Sequence, residues 1–203
     1  MTIDRPELAK RPANFVALSP VSFLARAADF FGERIAVVHG ARRLTYREFY
    51  ARARRLAHAL TKAGIKRGDT VSILAANTPA MLEAHYAAPM IGAVLNPINI
   101  RLDAPLIAFC LQHGGAKLLL ADREFHATIA PALAGMGARA PIVVDIADAE
   151  SEGAPRFGSI EYEDFIAAGD PQFVFWEQQL RHREVAPPGS MSMPLPQSMP
   201  MSQ

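Results

Sequence analysis

The stretch Leu44–Leu102, LTYREFYARARRLAHALTKAGIKRGDTVSILAANTPAMLEAHYAAPMIGAVLNPINIRL, holds two successive turns of an α/β wind. Few folds accommodate that. Thr45-Tyr46-Arg47-Glu48 has capping-box spacing, in which Thr and Glu satisfy each other's exposed backbone donors. Phe49, Ala53, Leu56 and Leu60 then recur at helical spacing, and Gly64 stands where the helix should end. Thr70–Leu74 reads as a short strand. Thr78-Pro79 opens a second helix, with proline at the first helical position, where its missing N–H costs nothing. That helix carries Met81, Leu82, Tyr86 and Met90 to Gly92, and Ala93-Val94-Leu95 is the next strand. Strand, helix, strand in this order predicts a parallel pair with a right-handed crossover.

The flanks extend the pattern. Residues 1–18 read as an extended lead-in. Ser19-Pro20 starts a helix with Val21, Leu24, Ala28 and Phe31 on one face, and Ile35–His39 with Arg42–Leu44 predicts a β-hairpin turning at Gly40-Ala41. Asp103 is positioned to cap a helix with Leu106, Ile107, Cys110 and Leu111, ending at Gly114-Gly115. The unbroken apolar run Lys117–Leu120 predicts a buried strand. A helix over about 124–136 and a strand over 141–144 complete another unit, and Ile160–Ala168 is short strand or short helix. The expected fold is therefore α/β, a mostly parallel doubly wound sheet flanked by helices over 19–171. Residues 172–203 change character. From Pro187 onward only Pro, Gly, Ser, Met, Gln and one Leu occur, without a charge, so an unrelated, disordered tail is expected there.

Composition excludes several functions. A net charge of +1 argues against nucleic acid as a bulk electrostatic partner. Cys110 is the only cysteine, which rules out an internal disulfide and suits a reducing, cytoplasmic compartment. No signal peptide and no membrane span are expected, since no window approaches 18 apolar residues. The six histidines show no metal-ligand spacing, and neither GxxxxGK[ST], a strand-linked GxGxxG nor GxSxG occurs. The basic positions Arg47, Arg52, Arg54, Arg55 and Lys62 form either a phosphate or nucleic-acid patch or, the preferred reading, a solvated helix face whose long stems cover the strands. His85-Tyr86 reads as a packed pair rather than a pocket lining, and Cys110 as a small core residue. The turn Asn96-Pro97-Ile98-Asn99-Ile100-Arg101 follows a strand and precedes a helix. In an open parallel sheet that edge is where ligands settle. Its two Asn side chains, one Arg and a helix N-terminus would suit a carboxylate or phosphate. Asn residues that merely close a turn explain the pattern equally well.

Taken together, LTYREFYARARRLAHAL, GIKRGDTVSILAANTPAMLEAHYAAPMIGAVLNPINIRLD, KLLLADREF and the late YEDFIAAGDP closely resemble the N-terminal region of adenylate-forming acyl-CoA synthetases over roughly residues 15–171. The fatty-acid and methylmercaptopropionate CoA ligase branch is the nearest in character. The resemblance implies the first subdomain of that family's N-terminal domain. It also implies a two-step reaction: a carboxylate attacks ATP, with Mg²⁺ screening the phosphates, and CoA thiol then displaces AMP from the acyl-adenylate. It assigns no catalytic residue here, and only Asn99, Ile100 and Arg101, with Arg123 as companion, as a contact for the CoA nucleotide. The family's TSGTTGxPKG-type phosphate loop, adenine and ribose motifs and catalytic lysine do not occur in residues 1–203. Gln172–Gln203 stands in their place, with the look of out-of-frame translation or a premature end. The expectation is thus a chain that binds no cofactor and performs no catalysis alone, and that self-associates through an orphaned apolar interface. The alternative is a non-enzymatic CoA-binding or protein-interaction module.

Overall fold

The computed structural model describes residues 19–148, 155–158 and 160–175. The lead-in 1–18 and most of the expected tail lie outside these residues, as do residues 149–154 and 159. The described chain runs α1 (Pro20–Phe31), β1 (Ile35–His39), β2 (Arg42–Thr45), α2 (Tyr46–Lys62), β3 (Thr70–Leu74), α3 (Pro79–Met90), β4 (Val94–Pro97), α4 (Ala104–His113), β5 (Ala116–Asp122), α5 (His126–Met136), β6 (Ile142–Ile146), β7 (Ile160–Glu161) and α6 (Tyr162–Ala167).

Strands β3 to β7 form one parallel sheet in the order β4-β3-β5-β6-β7. The chain steps outward from β3 to β4, then crosses back to lay β5 on the other side of β3. The antiparallel hairpin β1-β2 stands apart from this sheet. Alternation along β5 explains the layers. Leu118 and Leu120 pack into a core with α1, α2, α3 and α6, while Leu119 and Ala121 face a second core with α4 and α5.

Local signals set the ends of the elements. Thr45 Oγ1 accepts the Glu48 N–H, and the Glu48 carboxylate accepts the Thr45 N–H at 2.8 Å, so the capping box forms at the head of α2. Gly64, just past that helix, takes φ 87°, a left-handed conformation open to glycine. Asp103 caps α4 by accepting the Leu106 N–H at 3.0 Å.

The structure differs from the sequence reading in several places, each with a physical reason. The helix expected over 124–136 is divided. The Asp122 side chain accepts the Glu124 N–H, which closes a 3-10 turn over Arg123–Phe125 before α5 begins. Ile160–Ala168 is both a two-residue strand and a helix. Phe31, expected on the buried face of α1, is half-exposed at the helix's last residue, with the Arg34 guanidinium 5.3 Å from its ring centroid. On α4, Ile107 and Leu111 take the core and turn the adjacent Leu106 outward, since neighbours on a helix are about 100° apart. On α3 the core side is built from Ala84, Ala87, Ala88 and Met90, which leaves Leu82 exposed. Cys110 is partly buried beside the α4–α5 core rather than within it.

Candidate functional site at the carboxyl edge of the sheet

Counting strands within the parallel sheet, the order is 2-1-3-4-5, and the direction of winding reverses between β3 and β5. Chains leaving the carboxyl ends of those strands depart to opposite faces and open a crevice, which is where open α/β sheets take ligands. Two buried polar side chains stand there. Thr78, at the head of α3, is 3% exposed, and its Oγ1 makes no hydrogen bond. Asp122, at the end of β5, is fully buried. Burial raises its carboxyl above the usual range, and the Glu124 amide offsets that only in part.

A cavity of about 440 Å³ opens over this edge, lined by Thr78, Pro79 and Ala80 from α3 and by Ile146–Asp148 after β6. The hairpin contributes His39 and Arg42, and the start of α6 contributes Tyr162 and Glu163. Its walls are held by a charged network. Arg52 Nε donates to Glu83 Oε1 at 2.6 Å, and Arg52 Nη2 donates to Glu163 Oε1 at 2.8 Å. Tyr162 Oη donates to Glu83 Oε2 at 2.6 Å. Burial pushes Glu83 up, with Arg52 opposing it, and burial together with Glu83 pushes Tyr162 well above its usual value. Glu163 is held low, because Arg52 and Arg42 outweigh the burial that would raise it. His39 Nε2 lies 2.9 Å from both oxygens of Asp148.

The positions singled out in the sequence are dispersed along this edge. Asn99 Oδ1 accepts the Arg101 N–H at 2.9 Å, so Asn99 closes its own turn after the edge strand β4, with Ile100 and Arg101 exposed beside it. Asn96 donates to Ser72 Oγ at 3.1 Å. Arg123 follows β5, on the far side of β3, about 10 Å away by strand spacing. Its Nε is 3.9 Å from Asp145 Oδ2, and Asp145 also accepts the Phe157 and Gly158 N–H groups. Asn99, Ile100 and Arg101 thus cluster, and Arg123 does not join them.

The basic face of α2 is solvated in part: Arg47 and Lys62 are exposed as expected, whereas the Arg52 side chain is only 15% exposed. Arg52 is a buried brace, Arg54 Nε donates to the Phe173 carbonyl, Arg47 pairs with Glu33, and Lys62 reaches the Ala168 carbonyl. His85 Nδ1–H donates to the Met81 carbonyl at 2.8 Å, and Tyr86 packs edge-on against Phe49. Among the described residues no group of three or more His, Cys, Asp or Glu is arranged to hold a metal ion. No described helix is long and apolar enough to cross a membrane. The sequence reading missed Thr78 and Glu83 as parts of the site. Thr78 was visible only as a helix start, and Glu83 was the one acid inside an apolar helix.

The sequence profile of the AMP-binding enzyme family matches residues 24–186. The chain belongs to that family. It is 45% identical over 181 residues to a peroxisomal acetate/butyrate–CoA ligase of Arabidopsis thaliana, covering 84% of this chain and 32% of that protein. An acetate–CoA ligase of Humulus lupulus is 41% identical over the same coverage. Among solved structures, an anthranilate CoA ligase with bound anthranoyl-AMP superposes with a TM-score of 0.71 at 21% identity, over 82% of this chain and 31% of that one. This last match speaks for the fold. The chain thus spans about a third of the length of the relatives it matches.

Proposed function

We propose that this chain forms the first α/β subdomain of an ATP-dependent acid–CoA ligase. Such a ligase joins a short carboxylic acid to AMP with release of pyrophosphate, then passes the acyl group to the thiol of CoA. The observation that carries this reading is the 45% identity to a ligase named for acetate and butyrate. Relatives named for benzoate and 2-methylpropanoate keep the choice of acid open, and the fatty-acid branch is a narrower proposal than these names support. ATP, Mg²⁺ and CoA belong to the proposal for the whole enzyme. Residues 1–203 contain no phosphate-loop sequence of the TSGTTGxPKG type. The cytoplasmic location stands as a proposal beside the peroxisomal names of several relatives.

A graft tests the reading. Residues 19–171 replace the matching third of the Arabidopsis acetate/butyrate–CoA ligase, and acid-dependent pyrophosphate release is measured. The expected outcome is retained activity with butyrate, while the 203-residue chain alone releases none. A folded but inactive graft overturns the ligase reading and favours a binding module. In the active graft, Arg101→Ala tests the proposed CoA contact. The expected result is a KM for CoA raised about tenfold, the loss of one charge-assisted hydrogen bond, with acyl-adenylate formation unchanged. An unchanged KM removes Asn99–Arg101 from the CoA site.

A further inference from the structure

We propose that the folded unit continues beyond residue 171 as a strap on α2, and that the indole of Trp176 fills the cavity where the strap ends. The proposal does not depend on the ligase reading.

The strap is anchored side chain by side chain. The Asp170 N–H donates to His58 Nδ1 at 3.0 Å, and the Phe173 carbonyl accepts from Arg54 Nε at 3.0 Å. The Phe173 ring stacks on the His58 ring, with centroids 4.9 Å apart and planes 4° from parallel. Phe175 is 3% exposed and belongs to the core shared by α1, α2 and α3. A segment that merely trailed from the domain would not bury an aromatic ring in its core.

A cavity of about 270 Å³ remains beside Phe175. It is bordered by Phe173 and Phe175, by Thr61, Ile65 and Lys66 at the end of α2, and by Ile91 after α3. That volume falls below the range of small-molecule pockets and suits one large side chain. The isoleucines and the rings make its walls apolar, while Thr61 and Lys66 are exposed and keep its rim wet. An indole fits such a place, with its body out of water and its N–H still hydrated. Trp176 is the chain's only tryptophan and directly follows Phe175, so their Cα atoms are about 3.8 Å apart. Glu177 comes next, opposite in sign to Lys66. The match to the family profile also runs past this point, to residue 186. A side chain attached so closely competes at an effective concentration on the order of millimolar, which a second copy at micromolar concentration does not reach.

Because the chain has one tryptophan, fluorescence of the 203-residue protein reads the site directly. The emission is expected to lie to the blue of that of the urea-unfolded chain. Acrylamide should quench it several-fold more slowly than in the unfolded chain, at every protein concentration. Ile91→Asn, at a half-buried position of the lining, should restore most of the quenching. Trp176→Ala should lower the urea midpoint of the whole chain, while Trp176→Phe keeps most of it. Circular dichroism reports whether Ile91→Asn folds, and if it does not, the two Trp176 variants decide. The proposal is overturned by emission and quenching equal to those of the unfolded chain, or by protection that appears only as concentration rises. Protection unchanged in a folded Ile91→Asn overturns it too, as does a Trp176→Ala chain as stable as the parent.

Discussion

Glu83 ties α3 to both α2 and α6. It is fully buried in the middle of α3 and is answered by Arg52, 31 residues earlier, and by Tyr162, 79 residues later. Neither partner was legible in the sequence, because helical periodicity reports neighbours three and four residues apart and nothing farther. That is why the basic positions of α2 read as a surface. Arg52→Met strands the carboxylate, and such a loss costs about 3–5 kcal/mol, measured by urea unfolding. Burial raises Glu83 in the folded state, so the fold tolerates its neutral form better than the charged one. The sign follows: its contribution is complete below the unfolded pKa and is lost as pH rises through the folded value. The Arg52→Met defect should therefore shrink as pH falls from neutral towards the ordinary value of 4.5, because Glu83, being raised, takes up its proton above that value; a defect independent of pH would mean Arg52 acts only through packing. Glu48 runs the other way. The Thr45 amide lowers it, so its stabilisation is present above the unfolded value of 4.5 and fades as pH falls through the folded one. Thr45→Ala should cost about 1 kcal/mol at neutral pH, the usual worth of an N-cap, and less in acid.

At the scale of elements, the sequence was most informative where a single element decides its own form. The capping box, the Thr78-Pro79 start, the Asp103 cap and the apolar run of β5 all appear where the spacing placed them. Strand order was not readable in the same way. Nothing in the period of β3, β4 or β5 says that β5 crosses back past β3. The sequence reading therefore put its ligand loop after β4, at the sheet's edge, while the switch point lies between β3 and β5. Helix faces were not legible where adjacent apolar residues compete: Leu106 and Ile107 read alike in the sequence, and only Ile107 is buried. β5 is paired on both sides and covered on both faces, so it should be the least forgiving strand. Leu120→Ala, at a fully buried position, is expected to cost about 2–5 kcal/mol, and Ile142→Ala, at a half-exposed position of β6, under about 1 kcal/mol. Denaturant midpoints for the two variants check the ranking. Equal losses would show that β5 is not the central element that its pairing makes it.

For the whole molecule, the open question is what meets the apolar surface that remains. Phe23, Phe30 and Phe31 of α1 are 53%, 75% and 50% exposed, and they border a groove of about 700 Å³ floored by Phe49 and Tyr86. Leu106 and Phe109 on α4 form a second, smaller group. Of the six side chains expected to form an orphaned interface on α3 and α4, Leu82 and Leu106 are exposed, Met81 is partly buried, and Met90, Ile107 and Leu111 are buried. The aromatic side of α1 is the larger apolar surface and was not anticipated, because Phe31 read as a core position. We propose that the 203-residue chain self-associates through α1. Burying a fully exposed phenylalanine is worth about 1.5–3 kcal/mol, and these rings retain half or more of their exposure, so three on each of two copies supply a gain of the same order as the cost of association. Sedimentation velocity at micromolar concentration should show dimers or larger species. The triple change Phe23→Ser, Phe30→Ser and Phe31→Ser should return a monomer with little loss of stability, since these rings are already in water. If the parent chain is a monomer, or the triple variant associates equally well, α1 is ordinary surface and the remaining apolar group on α4 becomes the face to test.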